Sequence, residues 1–505
     1  MYIVTSEEMR HLDRYAIDSV GIPVLALMEN AGRAVAEAAQ SHFGGEKRNW
    51  LILAGKGNNG GDALVAARHL VEWGHRVTIL YAEEPDRLTG EAAVQRNIAA
   101  ALGISSTVYQ TGPFNWRGFD GILDGLLGTG TKGAPREPYA SVIKEANESG
   151  LPIISIDIPS GLDADTGAVH DPCIQAVRTV ALAFLKQGLV QYPGVGAAGE
   201  VMAAPIGIPE EIADKHGIKT FLLTDRLLRE RLGIERIRLV NTHKGTYGHV
   251  LAVAGSRQMS GAGLLCAKAA LRTGCGLVTW AVPDQLAGPL IGHVPEVMLA
   301  GIADGGRGDW SATSPQDILS WVADKDAVAV GPGIGRFLQG EKWLSALWNG
   351  IPCPLVLDAD ALNMMANAFE KWPRRQAATI LTPHPGEMAR LLKISVQEVQ
   401  KDRIGLAREF SLRYGVTLVL KGAQTVIATP EGAAFVNTTG NPGMATGGTG
   451  DVLTGMIASL LAQGHNAVQA ACLGVYLHGR AGDQAAARLG ESALIASDII
   501  DRLSI

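Results

Sequence analysis

Cysteine is scarce in this sequence, and its placement excludes the framework uses of the residue. The five present (Cys173, Cys266, Cys275, Cys353 and Cys472) are odd in number and scattered, with no CxxC pair. They therefore suit neither a disulfide scaffold nor a zinc site, and buried thiols are expected. Clustered positive charge is missing too: 44 basic residues stand against 50 acidic ones, for a formal net charge of -6, with no basic block. That balance argues against a nucleic-acid surface as the main business and toward a small-molecule partner. No run of about 18 unbroken apolar residues occurs. The opening MYIVTSEEMRHLDRYAIDSVG carries acids where a signal peptide has its apolar core. No membrane contact and a cytoplasmic location are expected. The Walker A pattern GxxxxGK[ST] is absent, which leaves a P-loop NTPase unsupported. His384 has no HxxxH or HExxH partner, so it is not expected to hold zinc.

What is present is abundant core. With 505 residues, 47% hydrophobic and 19% charged, the chain is too long for one ordinary core, and two large domains are the simplest reading. In the first 200 residues, helix-like segments (SEEMRHLDRYAIDSVG, LALMENAGRAVAEAAQSHF) give way to short apolar strands (NWLILAG, RVTILYA, DGILDGLLG, PIISIDIPSG, TVALAFL). Such strands separated by helices predict a parallel sheet covered on both faces. A charged, proline-bounded stretch at about 209–240 marks a junction. Beyond it the alternation resumes in GHVLAVAG, GLVTWAVP, AVAVGPGIG, PLVLDADALN, TILTPHPGE, VTLVLKG and TVIATPEG. A hairpin is expected near 416–437, with closing helices near 451–463 and 467–488. No repeat links the halves. The expected fold class is α/β in two domains, the first a Rossmann-like doubly wound sheet over 1–215, then a junction over 216–235 and a second domain over 236–505.

Two glycine regions carry the chemistry. LILAGKGNNGGDALVAARHLVEWG reads as strand, turn and helix, and Gly55, Gly57 and Gly60 fit GxGxxG, with Glu83 and Glu84 following at the next strand's end. A dinucleotide dehydrogenase is therefore one reading. The doublet Asn58-Asn59 and the pair Gly61-Asp62 point elsewhere, because a pyrophosphate loop needs close approach more than side chains. Asp62 also admits a plainer role as a helix cap. Two further strand ends, DGLLGTGTKGA with Asp124 and SIDIPSGLDADTG with Asp157, Ser160 and Asp163, would meet the first loop at one sheet edge. Oxygens of Asn59, Asp124 and Ser160 suit an alkali cation, leaving Asp157 as an acid or base. Asp157 and Asp163 also suit turn-forming roles.

The second region, NTTGNPGMATGGTGDVLTG, places six glycines in nineteen positions around Asp451, just before an apolar helix. Bare backbone at a helix start can cradle phosphoryl oxygens. Asp451 would be favoured in its charged form by the helix dipole and could take a hydroxyl proton. A simple N-cap is the alternative. LDADALN (Asp358, Asp360, Asn363), TPHPGE (His384, Glu387) and VLKGAQT (Lys421–Thr425) end successive strands of the same half.

In this order, DADALN, TPHPGE, LKG and GTGD closely resemble the ribokinase-like NAD(P)H-hydrate dehydratases. GKGNNGGD, DGLLGTG and DIPSGLDADTG resemble the NAD(P)H-hydrate epimerase domain often fused in front of them. The resemblance covers nearly the whole chain outside the junction and implies a ribokinase-like second domain. It also implies repair of hydrated NADH and NADPH, whose nicotinamide ring carries a hydroxyl at C6. The first domain would interconvert the R and S hydrates, and the second would phosphorylate the S hydrate with ADP or ATP and Mg2+ and then eliminate phosphate.

By motif, the epimerase substrate would be embraced by Asn58, Asn59, Gly60, Gly61 and Asp62, and by Gly128, Thr129, Gly130, Thr131, Lys132, Gly133 and Ala134. Asp157 would contact the ring, and Asn59, Asp124 and Ser160 would hold K+. In the dehydratase domain Gly263, Gly335, His384 and Asp451 would face the hydrate. Lys421, Gly422, Ala423, Gln424, Thr425 and Gly450 would bind the nucleotide. Asp451 and Asp157 are the expected catalytic residues, and a homo-oligomer is expected. Two other readings are a small-alcohol kinase of the hydroxyethylthiazole kinase kind, and a first domain serving only as a binding scaffold. Asn59, Asp124 and Asp157 together speak against the scaffold, which needs no polar crevice.

Overall fold

The computed structural model describes residues 1–503 apart from 111–113, 236 and 239. The chain divides into two compact units, Met1–Thr220 and Phe221–Ile505. In the first unit, β1 (Asn49–Ala54), β2 (Arg76–Tyr81), β3 (Ser105–Val108), β4 (Gly121–Gly125), β5 (Ile153–Ile156), β6 (Arg178–Leu182) and β7 (Glu200–Ala204) form one sheet. Their spatial order is β3-β2-β1-β4-β5-β6-β7, and every neighbouring pair is parallel. Leu51, Ile52, Leu53, Ile122, Leu123 and Ile154 are fully buried, as strands covered on both faces require. The strand order reverses between β1 and β4, so the loops leaving their carboxyl ends border the crevice where such sheets bind ligands.

Helix Asn58–Glu72, which follows β1, is assembled from small residues because it is pressed from two sides. A β-carbon on Gly32 of helix Val24–His42 would lie 2.4 Å from that of Val65, and one on Gly125 of β4 would lie 2.5 Å from that of Ala63. The segment TVALAFL, read above as one strand, is broken. β6 ends at Leu182, Ala183 turns through φ 60°, and Leu185–Lys186 pairs instead with Ile3–Val4 in a separate parallel ladder. That break turns Lys186 back toward the crevice.

The second unit is built on a ten-stranded sheet of β8 (Thr220–Leu222), β9 (His249–Val253), β10 (Leu277–Pro283), β11 (Met298–Ile302), β12 (Ala327–Val330), β13 (Leu355–Leu357), β14 (Thr379–Leu381), β15 (Thr417–Leu420), β16 (Thr425–Ala428) and β17 (Ala434–Asn437). Its order is β8-β17-β16-β15-β14-β13-β12-β9-β10-β11. The ladders from β15 through to β11 are parallel, while β15, β16 and β17 form an antiparallel meander where the hairpin was expected. Helices Thr449–Ala462 and Ala467–Leu489 close the unit.

β3, β7, β8 and β11 escaped the sequence reading. All four lie at sheet edges: β3 is polar and exposed, β7 and β11 are apolar in composition but partly exposed, and β8 has only three residues. β8 and helix Asp225–Glu230 lie in the stretch read as a junction. Arg236 and Leu239, at the end of that charged stretch, are outside the described residues.

Candidate active sites

The first crevice is a cleft of about 1090 Å³, a volume suited to a nucleotide-sized ligand. Asn58, Asn59, Asp62, Gly128, Thr129, Gly130, Thr131, Lys132, Ala134 and Asp157 border it, and Gly60, Gly61 and Gly133 do not. Gly60 has a backbone reason for lacking a side chain, since its β-carbon would stand 2.0 Å from the Gly55 carbonyl oxygen; that of Gly61 would meet the end of Met28. Gly57 has open space instead and is the N-cap of the helix. Asp62 is therefore not the cap. It lies a turn inside the helix, 8% exposed, and burial first, then the charges of Asp157 and Asp13, push its carboxyl well above the ordinary range.

The dehydrogenase reading needs a carboxylate that is open to a ribose after β2. Of the two acids there, Glu83 is occupied: it accepts from Arg87 (2.8 Å) and Tyr139 (2.8 Å) and pairs with Lys56 (3.1 Å), while Glu84 is exposed at the cleft. The Arg87 hydrogen bond leads the effects that hold the Glu83 carboxyl down at about 2.

Asn59, Asp124 and Ser160 do come together, around the backbone of Leu127. Asn59 donates to the Leu127 carbonyl (2.9 Å), and Ser160 Oγ accepts from the Leu127 amide (2.9 Å). Asp124 is fully buried and accepts from Ser160 Oγ (2.6 Å), Ser160 N (2.9 Å), Ser155 Oγ (2.9 Å) and Leu126 N (3.2 Å). Burial still raises its carboxyl against those four donors. No basic side chain of the described residues pairs with it. A buried carboxylate lacking a counter-charge, beside amide, hydroxyl and carbonyl oxygens, fits a hard monovalent cation.

Asp157 and Asp163 part company. Asp163 is a turn former, accepting from Asp165 N, Thr166 N and Thr166 Oγ1 on one oxygen. Asp157 sits at φ 65°, accepts from Leu182 N (3.0 Å) and forms an ion pair with Lys186, itself 1% exposed. Lys186 and Asp13 both line the cleft, and neither was expected. Lys186 directly follows the segment TVALAFL, and Asp13 is one of several charges in SEEMRHLDR, so neither carries a local signal.

In the second unit Asp451 is the third residue of helix Thr449–Ala462, whose N-cap is Gly448 at φ 92° without a side-chain hydrogen bond. Asp451 is no cap, and the dipole does not control it. Burial, then Asp358, raise its carboxyl to about 7, with Lys421 opposing. A group poised there suits a base working near neutral pH. Of the glycines around it, Gly443, Gly448 and Gly455 would clash with Glu491, Leu265 and Cys266 if they carried a β-carbon. Gly447 faces open space, and Gly450 looks onto Lys421 Nζ at 3.4 Å and Asp358 Oδ2 at 3.8 Å. Close packing accounts for the first three; nothing packs tightly enough against the last two to require glycine. The first-turn amides of Thr449, Gly450 and Asp451 have no intrahelical partners to donate to.

Asp358 is buried at the end of β13, bonded by Lys421 on one oxygen and by Thr454 Oγ1 (2.7 Å) on the other. Asp360 accepts from the Gly335 amide (3.0 Å) and so fixes the turn that Gly335 makes at φ 74°. Asn363 is drawn aside by Arg390 (2.8 Å). His384 caps helix Pro385–Leu392, its Nδ1 accepting from Gly386 N (2.9 Å) while Glu387 bonds back to its amide (2.8 Å). Burial, then Lys421 and Arg390, lower the imidazole, and burial lifts Glu387 to about 7. Gly263 is covered by the Trp280 indole, where its β-carbon would stand 2.5 Å from the ring. Packing explains that glycine.

Residues 421–425 form a bent loop, with Gly422 at φ 137° and Gln424 at φ 59°, closed by Thr425 Oγ1 on the Gly422 carbonyl (2.9 Å). Arg403, 3% exposed, holds it from below through the carbonyls of Leu420 (3.0 Å) and Lys421 (3.2 Å). No motif pointed to Arg403.

Residues 250–504 match the family model described as NAD(P)H-hydrate dehydratase, and residues 24–188 match the model described as YjeF-related protein N-terminus. The bifunctional NAD(P)H-hydrate repair enzyme Nnr of Moorella thermoacetica is 42% identical over 100% of this chain and 96% of its own. The enzyme of the same name from Escherichia coli is 36% identical over 99% and 92%. Among solved structures, an ADP/ATP-dependent NAD(P)H-hydrate dehydratase from Bacillus subtilis, co-crystallized with ATP/Mg2+, is 32% identical and aligns with 56% of this chain and 96% of its own at a TM-score of 0.48.

Proposed function

The chain belongs to the bifunctional NAD(P)H-hydrate repair enzymes, and from that membership we propose how its two sites divide the work. It is an isomerase and a lyase in one polypeptide: an epimerase in the first domain and a dehydratase in the second together restore hydrated NADH and NADPH. In the second domain ADP or ATP binds at Lys421, Gly422, Ala423, Gln424, Thr425 and Gly450. The open backbone of Gly447 and Gly450 receives phosphoryl oxygens, and Asp451 takes the proton of the C6 hydroxyl as that oxygen is phosphorylated. Elimination of phosphate then regenerates the ring double bond.

The observation that carries this reading is the Asp451 carboxyl, raised to about 7 and standing beside unfilled helix amides. His384 and Gly335 border the hydrate, with Gly263 behind them against Trp280. Mg2+ enters with the nucleotide. Bound there, it would neutralise phosphate charge. The Lys421 ammonium is directed inward to Asp358, so the loop reaches the nucleotide through its backbone.

In the first domain the cleft holds the hydrate against Asn58, Asp62, Gly128, Thr129, Gly130, Thr131, Lys132, Ala134 and Asp157. Asn59, Asp124 and Ser160 hold K+, which supplies the missing counter-charge to Asp124. A cytoplasmic location and a homo-oligomer belong to the same reading. No helix among the described residues is long and apolar enough to cross a membrane.

The test is incubation with mixed hydrate epimers, Mg2+ and ADP or ATP while following the reduced-nicotinamide absorbance. Full recovery faster than spontaneous exchange allows supports both activities. Accumulation of a stable phosphorylated product would favour a small-alcohol kinase instead.

A further inference from the structure

The wall of the first cleft holds more ionisable groups than substrate binding calls for. Asp157 and Lys186 form an ion pair in which the lysine is 1% exposed and also donates to the Leu182 carbonyl (2.8 Å). Asp13 enters from helix Ser6–Arg14 and Asp62 from helix Asn58–Glu72, and all four side chains line the same cavity. Neither the Asp13 nor the Asp62 carboxyl is hydrogen-bonded to another described residue. Three carboxyl groups gathered around one buried ammonium outnumber the charge it can match. Burial, opposed by Lys186 and assisted by Asp157, lifts Asp13 to about 6. The ladder between Ile3–Val4 and Leu185–Lys186 anchors the Lys186 backbone to the strand that leads into helix Ser6–Arg14.

Exchange of configuration at C6 needs both an acid and a base. The C6 hydroxyl and the ring nitrogen N1 share one carbon, so the centre is a hemiaminal. We propose that Asp13 is the acid of the epimerase site, working opposite Asp157 as base, and that Lys186 is a positioning residue that carries the counter-charge of Asp157. This rests on the epimerase reading of the first domain. Asp157 takes the hydroxyl proton, the C6–N1 bond breaks with its electron pair going to N1, and Asp13 delivers its proton there. The opened aldehyde turns about the C5–C6 bond, and N1 adds to the other face of the carbonyl. The carbonyl oxygen recovers its proton from Asp157, and N1 returns its proton to Asp13. Nothing is consumed. Asp13 is assigned over Asp62 because it is only half-buried and stands open to the cavity, whereas Asp62 is sunk in its helix at 8% exposure.

The test uses the full-length chain, purified R hydrate and no nucleotide, with the appearance of the S hydrate followed by chromatography. Asp13→Asn is expected to lower kcat for exchange by about 10²- to 10⁴-fold with KM held, and Asp13→Glu to restore part of the loss. Lys186→Met is expected to lower kcat in the same assay. Absence of exchange above the spontaneous rate in the wild-type chain would overturn the epimerase reading itself. Exchange by the wild type with an unchanged kcat in Asp13→Asn overturns the proposal alone. So does a loss confined to Asp62→Asn, which would move the acid to that residue. A fall in kcat that Asp13→Glu leaves unrepaired, with KM rising equally, would mark Asp13 as merely structural and likewise overturn it.

Discussion

Lys421 pairs with Asp358 directly below Gly450, so the most prominent cation of the second site is matched by protein before any nucleotide arrives. Burial alone would lower the lysine, and Asp358 and Glu387 outweigh it, so its ammonium is held more firmly than usual. Removing one member of such a pair leaves the other charged and buried. Lys421→Met is expected to destabilise the second domain by about 3–5 kcal/mol without moving the unfolding of the first. Hydrogen exchange followed through denaturation and resolved by peptide, which separates the two domains, checks it.

Asp451→Asn keeps the shape of the side chain and removes the base. Nucleotide-dependent dehydration of the S hydrate is expected to fall about 10²- to 10⁴-fold. In the wild type, kcat/KM should climb as the pH rises through about 7, where Asp451 loses its proton, and this rise should vanish in the variant. Wild-type repair rates in Asp451→Asn would leave Asp451 without a catalytic role.

The same carboxyl makes a stability prediction of opposite sign. Folding raises Asp451 from 3.8 to about 7, so between those values the folded chain keeps a proton that the unfolded chain gives up. Stability from that proton is full below about pH 4 and is lost as the pH rises through about 7. Asp451→Asn, neutral throughout, should match the wild type at pH 4. At pH 8 it should exceed it, with Tm of the second domain up by about 2–4 °C for each kcal/mol recovered. Equal Tm values at pH 8 would contradict the raised carboxyl.

What could be read in the sequence follows from which physical signals are local. Apolar strands such as NWLILAG and AVAVG betray themselves because both faces are covered. Asp124, Asp157 and Asp451 stand out because they lie at strand ends or open a helix beside glycines. Lys186 and Arg403 gave no such sign. Lys186 matters only because the chain turns at Ala183 and a two-residue ladder carries it back to Asp157. Arg403 matters only because the carbonyls of Leu420 and Lys421 come to it from another element. The direction of the Asp451 shift was likewise hidden: the dipole belongs to the helix, whereas burial and Asp358 belong to the assembled site.

The division between Thr220 and Phe221 bears on where the chain can be cut. A fragment beginning at residue 236 would lose β8 and helix Asp225–Glu230, exposing β17 as a bare sheet edge. Such edges invite pairing between molecules. Residues 218–505 are expected to give a soluble, nucleotide-dependent dehydratase, and residues 236–505 a less soluble one. Size-exclusion chromatography of both fragments separates these outcomes, and equal behaviour would show that β8 is dispensable.

The last prediction concerns the cation at Asp124. Its carboxyl is completely buried, is bonded only by neutral donors, and is raised by burial despite them. If K+ balances it, potassium binds the folded state alone and stabilises it by mass action, by about 2.7 kcal/mol at a hundredfold excess over Kd. Replacing choline chloride with potassium chloride at constant ionic strength should therefore raise the unfolding temperature of the first domain and leave the second unmoved. Asp124→Asn removes the charge that calls for the ion, so its first domain should unfold at the same temperature in either salt. A wild-type chain indifferent to the exchange would remove potassium from the site. The four hydrogen bonds to Asp124 would then be what keeps its buried carboxyl in place.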